Sequence, residues 1–146
     1  MIEFFEAAKA AGVHTCVDTS GVTFRRTGEQ FTKIERLMKS TDLLLVDIKH
    51  IDAIAHKELT GHSNENIIEF FRYLDSIEKP IWIRHVLVPG ISDNDEALTR
   101  TRDFIRTLSN VKRVEVLPYH AFALSKYQEL GIDYALKETQ TPSADR

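Results

Sequence analysis

The chain has 146 residues, 42% of them hydrophobic and 28% charged, and carries a formal net charge of -3 at pH 7. Those values predict one globular domain of ordinary composition. The acidic balance without any basic cluster excludes a nucleic-acid footprint, and no apolar run nears the roughly 18 residues of a membrane span.

Residues 2–11 place Phe4, Phe5 and Ala8 at helical spacing, and Gly12 suits a helix C-terminus. No cap precedes this helix, so the chain is expected to be a piece that opens in mid-helix. Residues 13–18 (VHTCVD) predict the first strand, which runs into the turn signal Thr19-Ser20-Gly21. Phe31, Ile34, Leu37 and Met38 give the next helix an apolar stripe, ended by Ser40-Thr41-Asp42.

Residues 43–48 are continuously apolar apart from Asp47, the pattern of a strand buried on both faces. A polar loop is expected from there through Gly61. Ser63 or Asn64 then caps a long helix bearing Ile67, Ile68, Phe70, Phe71, Leu74 and Ile77. Pro80 ends it, and residues 81–88 (IWIRHVLV) predict the third strand, stopped by Pro89-Gly90. Ser92 with Asp95 reads as a capping box for a helix that turns Leu98, Phe104, Ile105 and Leu108 inward.

Residues 114–117 predict the fourth strand, closed by Pro118-Tyr119-His120, and residues 124–130 a short helix before Gly131. The domain is expected over 1–137, with 138–146 a polar, frayed tail. Strands alternating with helices about thirty residues apart are βαβ units, so the fold class is α/β with a parallel sheet. Four such strands suit either an open sheet or an arc of a barrel. Either way their polar stops, Asp18, Asp47 with Lys49, Arg84 and His120, meet at one rim.

Under period-two alternation Leu45, Asp47 and Lys49 share one face, opposite Leu44, Val46 and Ile48. The Asp47–Lys49 pair suits a polar ligand that carries an amine or hydroxyls together with a carboxylate, and equally a salt bridge closing the rim. Asp18 reads first as an Asx-turn and second as a ligand or cation contact. Arg84, inside an apolar strand, needs Asp47, Asp18 or a bound anion as partner, and a bound group is preferred. His120 by itself is a loop histidine. His14, His50, His56, His62 and His85 show no metal-ligand spacing among them, and Cys16, in mid-strand, reads as a small core residue. A single cysteine forms no internal disulfide, which suits a reducing cytoplasm.

Taken together, HTCVDTSG, LLLVDIKH, WIRHVLVPGISD and VEVLPYH closely resemble the pyruvate formate-lyase activating enzymes, radical S-adenosylmethionine proteins that install a glycyl radical on a partner. The resemblance runs from the first helix to about Pro142, and LTGHSNENIIEFFRYL with LPYH favours pyruvate formate-lyase as the partner. It implies a partial (β/α)6 TIM-like barrel, about four of its six strands in this chain. It also implies S-adenosylmethionine, a [4Fe-4S] cluster, and an electron donor such as flavodoxin or ferredoxin. Reductive cleavage of S-adenosylmethionine then gives a 5′-deoxyadenosyl radical that abstracts hydrogen from a glycine of the partner.

By the same resemblance Asp47, Ile48, Lys49 and His120 contact S-adenosylmethionine. Asp18, Thr19, Leu45 (through its carbonyl) and Asp47 surround a monovalent cation, and Arg84, Pro89 and Gly90 face the partner's glycine loop. The sequence departs from the family in two respects that bear on activity. The cluster motif C-x3-C-x2-C is absent, and one cysteine ligates no [4Fe-4S] cluster; the family's Gly-Gly-Glu string, which meets the S-adenosylmethionine amine, is absent as well. The chain is therefore expected to be a fragment lacking the cluster-binding part, and inactive alone. Two other readings are a non-catalytic half-barrel that binds a glycyl-radical enzyme, and an aldolase-like barrel using Lys49 as a Schiff-base amine.

Overall fold

The computed structural model describes residues 1–142. The elements follow in the order α1 (Ile2–Ala10), β1 (Cys16–Thr19), α2 (Gly28–Lys39), β2 (Leu43–Asp47), α3 (Ala53–Thr60), α4 (Glu65–Ser76), β3 (Ile81–Leu87), α5 (Asp95–Ile105), β4 (Val111–Pro118) and α6 (Leu124–Glu129). The strands form one sheet in the order β1-β2-β3-β4, every pairing parallel. The expected α/β class with a parallel sheet is what the chain adopts. Of the tail expected at 138–146, residues 143–146 lie outside the described residues.

The core lies on one face of this sheet. Leu44, Val46, Ile81 and Ile83 are completely buried there, with Phe71 and Leu74 of α4 and Leu37 and Met38 of α2 against them. Phe24, Phe70 and Tyr73 close the cluster with ring centroids 5.0 and 5.2 Å from Phe24. The other face carries Leu45, Asp47, Trp82, Arg84, Arg113 and Glu115 and is only partly covered. β2 thus alternates between buried and half-buried positions, so the expected burial on both faces is corrected: its apolar run is longer than the covered face requires.

Five local expectations are also corrected. The first strand begins at Cys16 rather than Val13, because Thr15 spends its donors before the ladder starts. Its N–H donates to Asp42 Oδ2 at 2.8 Å and its hydroxyl to the Ser40 carbonyl at 2.6 Å. Cys16, expected in the core, is exposed on the open face of this edge strand. The polar loop expected through Gly61 contains α3, capped by Asp52, which accepts from the N–H groups of Ile54 and Ala55. The capping box of Ser92 and Asp95 does not form; Asn94 caps α5 by accepting from Ala97 at 2.8 Å. Ser92 is instead fully buried, accepting from Val88 N–H at 2.9 Å and donating to the Val86 carbonyl at 2.7 Å.

The fifth correction is β4, which starts three residues before Val114. Lys112 and Arg113 are accommodated because an edge strand leaves charged side chains in solvent. At the start of α4, Ser63 Oγ accepts from the Glu65 N–H at 3.3 Å. Asn64 turns its amide back to the carbonyls of His50 and Ile51 at 3.1 and 2.8 Å.

Candidate functional site

The strand register decides which polar stops meet. Asp18 pairs with Leu45, and Asp47 with Arg84. Alternation then sets Asp18, Asp47 and Arg84 on the open face of three adjacent strands. Arg84 Nε donates to Asp47 Oδ1 at 3.1 Å, and its terminal NH2 group donates to Asp18 Oδ1. The second oxygen of Asp47 takes Lys49 Nζ at 3.1 Å. One guanidinium therefore spans the carboxylates of β1 and β2 from β3, and Asp47 sits between two cations.

The side chains of Arg84 and Asp47 are only 20% and 16% exposed. Water screens such a pair far less than a surface pair. Burial works against the charge on Arg84, but the hydrogen bond it donates to Asp18 and the attraction of Asp47 overcome it and raise its pKa above the usual arginine value. The requirement for a partner, read from the sequence, is met internally by both aspartates.

Thr19 and Ile48 are placed differently. Thr19 follows Asp18 and points to the opposite face, where its hydroxyl accepts from Gly21 N–H at 3.1 Å; this threonine, not Asp18, closes the turn. Ile48 is buried; its N–H donates to the Arg84 carbonyl at 2.9 Å, and its own carbonyl accepts from His85 Nδ1 at 2.7 Å.

Beyond the strand ends lies a cavity of about 680 Å³. Lys49 and His120 both line it, with Val86, Val88 and Leu117 supplying an apolar wall and Thr60 of α3 a hydroxyl. Lys49 is thus the member shared between the ion-paired row and the cavity. Asp18, Asp47 and Arg84 stand outside the lining. Gly90 borders a second cavity of about 380 Å³, which shares Leu59 and Leu136 with the first. The Gly90 N–H is tied to Asp93 Oδ1 at 2.8 Å.

The sequence reading missed the tyrosines that build the far wall. Tyr119 is buried, and its hydroxyl donates to the Leu136 carbonyl at 3.1 Å and lies 3.2 Å from the Tyr134 hydroxyl. Burial first, and Tyr119 second, push the Tyr134 pKa up to about 12. The ring of Tyr127 packs on Tyr134 at 4.6 Å between centroids. The spacing of Tyr119, Tyr127 and Tyr134, close to seven residues, was the available signal, but it crosses an irregular segment.

The open face also carries Trp82, over which the Arg113 guanidinium sits at 4.8 Å. Cys16 lies on the same face, its thiol pKa raised by burial and then by the charge of Asp18. A cluster ligand has to be a thiolate. Among the described residues no group of three or more His, Cys, Asp or Glu side chains is arranged to hold a metal ion. The residues present do not fit a [4Fe-4S] cluster. They do fit a ligand of mixed charge: two cations and two carboxylates at the strand ends, beside a cavity with an apolar wall.

The chain is 49% identical, over its full length, to the pyruvate formate-lyase-activating enzyme of Streptococcus mutans, and covers 56% of that protein. It is 50% identical over 145 residues to the pyruvate formate-lyase-activating enzyme of Listeria monocytogenes, covering 58% of it. The chain thus spans a little over half the length of these curated relatives. Its fold matches a crystallised domain of a pyruvate-formate lyase-activating enzyme from Bacteroides vulgatus with a TM-score of 0.77 at 23% identity, over 99% of this chain and 76% of that one. Residues 1–101 match the Radical SAM superfamily, and the chain belongs to that family.

Proposed function

We propose that this chain is the S-adenosylmethionine-binding and partner-facing part of a pyruvate formate-lyase-activating enzyme, an activase of a glycyl-radical enzyme. One observation carries the reading. Lys49 belongs at once to the ion-paired row with Asp47 and Arg84 and to the cavity that His120 lines. The near-half identity to enzymes of that name along the entire chain supports it.

S-adenosylmethionine has a carboxylate, an amine, a sulfonium and a ribose, and so asks for charges of both signs. Lys49 offers an ammonium to its carboxylate, with His120 across the same cavity; Asp47 and the Ile48 backbone, which lie outside the lining with their groups paired, join the contact set once Lys49 turns from Asp47 Oδ2 to the ligand. When bound, it supplies the adenosyl group by which a hydrogen atom leaves a glycine of pyruvate formate-lyase. Arg84 and the turn at Pro89-Gly90 face the side from which that glycine loop approaches. A monovalent cation held by Asp18, the Leu45 carbonyl and Asp47 has to displace the Arg84 guanidinium, which already bridges the two carboxylates, and Thr19, whose hydroxyl turns to the opposite face, can join it only through its backbone.

No step is assigned to a cluster, whose ligands these residues do not supply. The chain alone is therefore expected to form no glycyl radical, with or without flavodoxin or ferredoxin as electron donor. A single free thiol suits a reducing cytoplasm, and among the described residues no helix is long and apolar enough to cross a membrane. Lys49 is ion-paired rather than desolvated in an apolar pocket, so nothing favours a Schiff-base amine there.

Equilibrium dialysis of labelled S-adenosylmethionine against the chain tests the reading. Saturable binding is expected, weakened about tenfold or more by Lys49→Met, because a charged hydrogen bond is lost. Absence of saturable binding, or a Lys49→Met chain that binds like the parent, overturns it. Robust glycyl-radical formation by the chain alone, seen by EPR, overturns the expected inactivity.

A further inference from the structure

We infer that Phe122 is a positioning residue that holds the imidazole of His120 in one orientation at the cavity. Its consequence for ligand affinity rests on the S-adenosylmethionine reading above; the orientation itself does not.

The backbone before the histidine is anchored. Tyr119 is buried, and its N–H donates to the Leu87 carbonyl at 3.1 Å. His120 follows in an extended conformation, φ -130 and ψ 138, and caps a single 3-10 turn formed by Ala121–Ala123. That turn brings the Phe122 ring back over the imidazole, with 5.1 Å between centroids and 20° between planes. Among the described residues no hydrogen bond holds the His120 ring, so this stack is what restrains its side-chain torsions. It covers one face of the imidazole and leaves both nitrogens and the other face free for a ligand.

Phe122 has no other evident task. It is 82% exposed, on a turn whose other two residues are alanines, and contributes nothing to the core. A phenylalanine held in water against one histidine differs from the scattered surface hydrophobics that need no explanation. A stacked aromatic pair is favourable beyond its buried area. A side chain already ordered before the ligand arrives has less conformational freedom to lose on binding. The expected gain in affinity is about two- to tenfold.

The test uses the full chain with its six histidines isotope-labelled at the ring carbons. His120→Gln removes one imidazole signal and so assigns it. In the parent chain the ring current of Phe122 displaces that signal upfield. Phe122→Leu is expected to return it toward the position of an unstacked histidine while the other five stay put, and Phe122→Trp to keep it displaced. A His120 signal unmoved by Phe122→Leu overturns the inference.

Dialysis of S-adenosylmethionine supplies the second arm. Phe122→Leu is expected to weaken binding about two- to tenfold, Phe122→Trp to restore it, and Phe122→Leu to add nothing once His120 is alanine. An equal loss in the His120→Ala background means that Phe122 meets the ligand or a partner directly, and overturns the positioning role. If His120→Ala itself leaves binding unchanged, the assignment of His120 to S-adenosylmethionine fails, while the ring signal still decides what Phe122 does.

Discussion

Asp47 and Arg84 are register partners on β2 and β3, and Arg84 Nε donates to Asp47 Oδ1 at 3.1 Å. The same guanidinium continues to Asp18 on β1, so one side chain bridges the two carboxylates proposed to hold a monovalent cation. Removing it in Arg84→Met leaves the carboxylates of the adjacent strands β1 and β2 without the cation they share. We expect a loss of about 1–3 kcal/mol, the cost of a partly buried charge stripped of its partner. Potassium is expected to recover part of that loss, and tetramethylammonium, too large to enter, none. Urea unfolding midpoints of parent and variant in the two salts measure both effects; equal midpoints in the two salts would show that the aspartates hold no cation.

Tyr119 ties the irregular segment after α6 to the end of β4 through the Leu136 carbonyl and the Tyr134 hydroxyl. Tyr119→Phe keeps the ring and deletes only these contacts. The Leu136 carbonyl loses its donor, at about 1 kcal/mol. The Tyr134 pKa is expected to fall from about 12 toward the ordinary value of 10.0. A raised tyrosine pKa means that the folded state prefers the neutral phenol. The associated stability is present below the unfolded pKa and lost as pH rises through the folded one. Tyrosinate absorbance against pH should show one group moving down in the variant, and the alkaline loss of stability should become shallower.

The strands were legible because each is an apolar run stopped by a charge or a proline, a pattern that survives without knowledge of packing. Asp47 was one of three partners left open for Arg84, because only the register of β2 against β3 selects it, but the shared face of Asp47 and Lys49 was legible from alternation alone. Which face of β2 is covered was not, because Leu43, Leu44 and Leu45 are chemically alike and only the helices distinguish them. The helix α3 escaped because it buries a single residue, His56, and has too little apolar stripe to show a period. Its signal lay in the flanks, Asp52 before it and Gly61, with φ 80, after it. The tyrosine wall escaped for a different reason: Tyr119 and Leu136 meet through an irregular segment, where no period constrains which residues touch.

Asp42 makes the structure sensitive to acid. Its carboxylate takes Lys9 Nζ at 2.6 Å and Thr15 N–H at 2.8 Å, with the Thr15 hydroxyl, shared with the Ser40 carbonyl, 3.1 Å away, linking α1, the start of β1 and the entry to β2. The Lys9 bond first, and the Thr15 backbone bond next, hold its pKa well below the usual carboxylate range. The folded state therefore prefers the charged form. That stability is present above the unfolded pKa near 3.8 and is lost as pH falls toward the lower folded value. Asp42→Asn is expected to lower the urea midpoint at neutral pH. The gap to the parent should narrow between about pH 5 and about pH 2. A gap that stays constant over that range would mean that the contacts matter only through shape.

Gly21 couples the core to the site. Its φ of +70 lies in the left-handed region, and a Cβ added there would stand 2.6 Å from Phe70 Cδ1. Phe70 is buried against Phe24 and has little room to yield. Gly21→Ala is therefore expected to cost about 2–4 kcal/mol, backbone strain and overpacking together. Gly90→Ala separates the two contributions, because Gly90 has a φ of +74 but nothing within 4 Å of its added Cβ. It should cost only about 1–2 kcal/mol. Phe70→Leu in the Gly21→Ala background should return part of the overpacking cost. The Gly21 N–H donates to the Thr19 hydroxyl, which closes the turn one residue beyond Asp18. A displaced Gly21 loosens that turn and with it the grip of Asp18 on Arg84, so Gly21→Ala should weaken S-adenosylmethionine binding as well, while Gly90→Ala should leave it unchanged.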